Sequence, residues 1–199
     1  MAISPALVKE LREKTGCGMM DCKRALEESN SDINGAIELL RKKGLADMAK
    51  RAGRAANEGI VDAYIHPGGR IAVMVEVNCE TDFVARGDDF KQFVHDVAMQ
   101  VAATSPMFVS RDEVPHELVE TERDIYRAQG LQEGKPEAVI DKIIDGRLEK
   151  FYQTVCLLEQ SFVKNQDVSV QDELATLVSK IGENISIRRF ARYQLGEEL

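Results

Sequence analysis

The chain has 199 residues, 44% of them hydrophobic and 30% charged, with a formal net charge of −8 and four cysteines. That length suits one large domain or two small ones, and the acidic balance argues against a broad phosphate-binding surface, which needs clustered Lys and Arg. No apolar run approaches the roughly 20 residues that span a bilayer, Lys9 and Glu10 interrupt any signal-like start, and cysteines without a CxxC pair or a neighbouring His read as reduced cytoplasmic thiols, not disulfides or metal ligands.

Residues 4 to 42 read as a three-helix unit. Ser4-Pro5 is a helix start: a capping hydroxyl, then a proline whose missing N–H costs nothing in the first turn. Leu7, Val8 and Leu11 mark its apolar face, and Thr15-Gly16 ends it. Gly16 to Met20 reads as a glycine-flanked loop into a second helix of about Asp21 to Ser29, with Cys22, Ala25 and Leu26 inward. Ser31-Asp32 caps a third, carrying Ile33, Ile37 and Leu40 at helical spacing. So small a core suits a docking module better than a catalytic one. Met19-Met20 has two readings, an adaptable binding surface or filler of the small core. Residues 43 to 58 read as a partly helical linker, and the five Lys and Arg between 42 and 54 as a solvated face or an RNA patch.

From 59 to 199 the pattern is α+β, an antiparallel sheet of about three strands packed with helices. Ile60 to His66 and Arg70 to Val77 flank the turn Pro67-Gly68-Gly69. In the second strand Ile71, Val73, Val75 and Val77 share one face, and Ala72, Met74 and Glu76 the other. The strand runs into a corner, Asn78 to Arg86, before a helix that starts near Asp88 and carries Phe90, Phe93, Val94, Val97 and Val101. At this corner Phe83-Val84 either faces outward for a partner or folds back under its helix as core.

Residues 104 to 112 read as a loop closed by a capping box, Ser110 to Glu113, with a helix from about Pro115 to Ala128. From Pro136 to about Val163 the residues Ile140, Ile144, Leu148, Phe151, Val155 and Leu158 make a near-heptad seam for a helix in this chain or in a second copy. Gln166 to Val170 reads as a loop, Gln171 to Ile181 as a helix, and Asn184 to Leu195 as a strand. In that strand Phe190 breaks the alternation of Ile185 and Ile187, which predicts a bulge. Arg188, Arg189 and Arg192 blunt its edge or hold an anion.

Catalytic chemistry finds no constellation. His66, His95 and His116 are scattered, and GxSxG, HExxH, P-loop and GxGxxG patterns are missing. Glu80 and Asp82 read as a solvated charge and a cap before they read as a carboxylate pair.

Three blocks carry a resemblance. Residues 7 to 26, LVKELREKTGCGMMDCKRAL, are similar to the N-terminal module of the elongation factor Ts family. Residues 75 to 86, VEVNCETDFVAR, resemble its core signature, and residues 181 to 189, IGENISIRR, are a third match. Length and ending resemble the short form of the family, which has a single core subdomain. The resemblance implies a guanine-nucleotide exchange factor for the translational GTPase elongation factor Tu, without cofactor, metal, membrane or direct nucleic-acid partner. It implies a ubiquitin-associated-like three-helix module in residues 1 to 42 whose Met19 and Met20 touch the GTPase domain. It further implies that Thr81, Asp82, Phe83 and Val84 dislodge magnesium from the partner, and that two copies pair to rebuild the longer form's core. A plain protein-binding adaptor and an RNA binder are the competing readings.

Overall fold

In the computed structural model, which describes residues 3–197, the small N-terminal core forms because three helices turn one apolar stripe each toward Leu11, Cys22, Leu26 and Leu40. The helices are α1 (Pro5–Thr15), α2 (Met19–Glu28) and α3 (Ile33–Arg51). Ser4 caps α1 by accepting from the Ala6 N–H at 3.2 Å, and Asp32 caps α3 by accepting from Asn34 and Gly35. Helix α3 does not end near residue 42 but runs to Arg51, through the stretch read as a linker. Gly44 is needed inside it. A Cβ there would meet the Ala175 carbonyl at 3.2 Å, so the missing side chain lets α3 cross close to a later helix.

The sheet has three antiparallel strands in the order β1 (Glu58–Ile65), β2 (Ile71–Cys79), β5 (Ile185–Gln194). Alternation puts Val73, Val75, Val77 and Cys79 of β2 on one face, all buried. Against it lie α5 (Asp88–Thr104), with Phe90, Val94, Val97 and Val101, and α8 (Val170–Ile181), with Leu174, Leu177 and Val178. Each such side chain contributes about 1.5–3 kcal/mol by leaving water. Among the described residues no helix covers the other face, and Val61, Ile65, Met74 and Tyr193 are exposed there. The expected bulge lies in β5, where the register shifts opposite Glu76 and Val77 so that Arg188 goes unpaired.

In chain order α5 is followed, before α8, by a helical hairpin, α6 (His116–Gln132) and α7 (Glu137–Val155). The near-heptad seam is satisfied within the chain: Ile140, Ile144 and Leu148 pack with Val119 and Tyr126 of α6. It stops at Val155, since Leu158 lies on a following 3₁₀ turn, and Gly146 does not interrupt it. Two smaller expectations fail. Ser110 makes no capping bond, because the Glu113 carboxylate turns to the Val109 N–H at 2.9 Å. The loop expected over 166 to 170 is half of a two-stranded hairpin, β3 (Ser161–Phe162) with β4 (Asn165–Ser169).

The N-terminal helices are tied to the core by Arg41, whose Nε donates to Asp172 Oδ1 at 2.6 Å. Burial would raise the Asp172 pKa, but the N–H and hydroxyl of Ser169 and the Arg41 guanidinium outweigh it, so the carboxyl lies below its ordinary 3.8. A depressed carboxyl takes up its proton in the unfolded chain first, so its stabilisation is whole above about pH 4 and fades as pH falls through the lower folded value. Thermal unfolding followed from pH 7 to pH 3 should therefore show Tm falling below about pH 4. Asp172→Asn should cost about 1–3 kcal/mol at pH 7 and flatten that fall.

Candidate functional site

Strand β2 ends because its neighbour changes. After Cys79 the backbone donors of Glu80 and Thr81 leave the ladder and both reach the Glu183 carboxylate, at 3.1 Å each, while the Thr81 hydroxyl donates to it at 2.7 Å. The favour is returned one residue on. Glu80 Oε1 accepts from the Asn184 N–H at 2.6 Å and from Arg54 at 3.4 Å, and the Asn184 amide donates to the Arg54 carbonyl at 2.7 Å. The Asn184 N–H and then the Arg54 guanidinium hold the Glu80 carboxyl below its usual range. Cys79 Sγ donates to the Thr81 carbonyl at 3.2 Å, and burial, with the Glu183 charge behind it, pushes that thiol up to about 11. It is an inert structural thiol.

On this clamp sits a one-turn helix that is too short for any periodicity to announce, α4 (Asp82–Arg86). Thr81 is its cap, accepting from the Val84 N–H at 3.4 Å. The four candidate residues divide. Thr81 is the clamp, Asp82 pairs one turn on with Arg86 at 2.8 Å, and Val84 packs against the main core beside buried Ala85. Phe83 alone points away, 83% exposed. Its reading as core under the helix does not hold. Cysteine and glutamate roles aside, the corner brings together three stretches far apart in the chain: Arg54, residues 79 to 84, and residues 183 to 184.

Met19 and Met20 lie in the first turn of α2 and not in the loop before it. Gly18 precedes them without a side-chain cap. Both are exposed, at 59% and 60%, so they do not fill the small core. With Ile3, Pro5 and Val8 they line a groove of about 380 Å³ rimmed by Lys9, Arg12 and Lys23. None of the corner residues lines that groove. Large apolar side chains left in water beside a basic rim are what a protein partner covers.

Glu183, Asn184 and Arg54 carry the corner's geometry but escape a reading by pattern. The bonds of Glu183 and Asn184 span more than 100 residues and that of Arg54 to Glu80 spans 26, and a single Glu after a helix-ending glycine has no period to betray it. His66 and His95 also find ordinary partners, Tyr64 and Asp62, at 3.1 and 3.0 Å. Among the described residues no group of three or more His, Cys, Asp or Glu could hold a metal ion, and no helix is long and apolar enough to cross a membrane. All four cysteines are free and buried.

Comparison with known proteins matches residues 23–176 to the family model described as elongation factor TS. The chain is 62% identical over 197 residues to "Elongation factor Ts" of Carboxydothermus hydrogenoformans, covering 99% of this chain and 91% of that protein. It is 60% identical over 195 residues to the protein of that name from Syntrophomonas wolfei, covering 98% and 91%. Against that of Geobacter sulfurreducens it is 59% identical over 199 residues, covering 100% and 92%.

Proposed function

This chain belongs to the elongation factor Ts family, and on that premise we propose that it is a guanine-nucleotide exchange factor of translation elongation, acting on GDP-bound elongation factor Tu. The observation that carries the reading is an exposed phenylalanine at the tip of a clamped corner. A GTPase holds GDP through phosphate-loop backbone donors and a magnesium ion, interactions that fade within about an ångström of displacement. An aromatic wedge supplies such a displacement if it cannot recoil, because packed interiors shift between discrete arrangements and do not yield smoothly. Phe83 is the wedge, with Asp82 and Val84 beside it and Thr81 at its base. No covalent bond changes, so the protein acts as a binding partner and not as an enzyme.

Docking falls to the three helices of residues 1 to 42, through Met19, Met20 and their groove. Residues 43 to 58, the second half of α3, the turn after it and the first residue of β1, join them to the core of 59 to 199. Two exposed methionines buried on a partner supply about 2 kcal/mol together. Met19→Ala/Met20→Ala should therefore raise the half-saturating concentration for exchange roughly thirty-fold and leave the rate at saturation unchanged. The bare sheet face, with Val61, Ile65, Met74 and Tyr193, is the surface on which a second copy would pair. Met74→Glu should then shift the sedimentation of a dimer to that of a monomer.

Release of a fluorescent GDP analogue from elongation factor Tu tests the reading. Acceleration that grows with added chain and saturates supports it. Binding without acceleration would leave an adaptor that docks through α2.

A further inference from the structure

We propose that Glu183 is the positioning residue of the exchange reaction, holding Phe83 at the angle and depth the partner feels without touching the partner's nucleotide site. This rests on the exchange reading of the corner.

A wedge works only against something stiff. Helix α4 has a single turn, too short to be stable by its own hydrogen bonds, and its only buried residue is Ala85. Its own capping bond, Thr81 Oγ1 to the Val84 N–H, is long at 3.4 Å. The stiffness must come from outside, and the Glu183 carboxylate supplies it. One oxygen takes both backbone donors at the end of β2, and the other takes the Thr81 hydroxyl, so position and direction of the first residue before α4 are both set. The Thr81 hydroxyl is thereby aimed with its lone pairs toward the Val84 N–H. Glu80 and Asn184 close the reverse bond at 2.6 Å, so the corner and the turn between α8 and β5 grip each other in both directions. A force on Phe83 passes through α4 to this grip, and from it into β2 and β5, the two best-paired strands of the sheet.

The atoms predict which replacement works. In Glu183→Gln, the remaining amide oxygen accepts from both N–H groups and the amide NH₂ can donate to Thr81 Oγ1. The grip survives with one bond reversed. In Glu183→Ala all three donors lose their acceptor.

The test is GDP release from elongation factor Tu as a function of added chain, with wild type, Glu183→Ala, Glu183→Gln, Phe83→Ala and the Glu183→Ala/Phe83→Ala double variant. Glu183→Ala is expected to lower the rate at saturation about ten-fold while the half-saturating concentration, set by the Met19-Met20 groove, moves less than about three-fold. Glu183→Gln should stay within about three-fold of wild type in both. The double variant should be no slower than Phe83→Ala, since Glu183 acts through Phe83. Hydrogen exchange of the chain alone should show faster exchange at residues 80 to 86 in Glu183→Ala and unchanged protection in 71 to 77. Should Glu183→Ala not fold, Thr81→Val, which removes one of the three bonds to Glu183 together with the long cap on the Val84 N–H, is expected to lower the rate at saturation and leave the half-saturating concentration in place. A Glu183→Ala chain that keeps the wild-type rate at saturation, or a double variant slower than Phe83→Ala by a further ten-fold, overturns the assignment. If wild type itself fails to accelerate release, it is the exchange reading that has failed.

Discussion

Phe83→Ala is expected to cut the saturating rate of GDP release from elongation factor Tu by about 10- to 100-fold, roughly 1.4–2.7 kcal/mol, and to leave the fold untouched. Both halves follow from one fact, that this ring is 83% exposed. An exposed side chain contributes little to its own protein, so Tm should move by no more than about 2 °C. The same ring carries much of what the partner feels, because a buried aromatic anchor is where binding energy concentrates. A Tm loss of 10 °C in this variant would show that Phe83 is packed in solution, and the wedge account would lose its tip.

Gly59→Ala is expected to do the opposite, harming fold first and exchange through it. Gly59 adopts a φ of +144°, a conformation L side chains rarely take, directly across from Asn78. A Cβ there would sit 2.2 Å from the Val77 carbonyl oxygen and 2.8 Å from the Asn78 Cα. Both contacts are backbone, so nothing flexible can yield. Strand β1 must separate from β2 just before the corner, at a cost of about 3 kcal/mol or more. For a chain of this size that lowers Tm by about 6–12 °C. Calorimetry should show that fall, with protection lost first in β1.

How far the chain could be read before its structure follows from where each signal resides. Strand β2 and helix α5 announce themselves because Val73, Val75 and Val77, then Phe90, Val94, Val97 and Val101, repeat with the periods of the backbones that carry them. The bulge in β5 was legible for the same reason, as a broken alternation at Phe190. Where an element is short the signal fails. Helix α4 has five residues, and β3 has two. The second half of helix α3 reads as a partly helical linker because its composition is basic and rich in Ala and Gly, whereas Gly44 marks the close approach of Ala175, a residue 131 positions away. Most of the candidate site is of this second kind. Residues 81 to 84 came from a resemblance, and spacing alone left Phe83 inside or outside. The clamp by Glu183 was not legible at all, because it depends on which turn lies beside β2 in three dimensions.

Linkage gives the account its most direct test. A partner that binds two states equally shifts nothing between them, however tightly it binds. If this chain promotes GDP release by disturbing the phosphate and magnesium site, it must bind nucleotide-free elongation factor Tu more tightly than the GDP-bound form. The ratio of those affinities must equal the factor by which it weakens GDP. Titration calorimetry of the chain against both forms, with GDP affinity measured alone and at saturating chain, supplies all four constants. The expected result is a preference of at least about 100-fold for the nucleotide-free form, matched by an equal loss of GDP affinity. Equal affinity for the two forms would contradict the account, whatever the chain docks on.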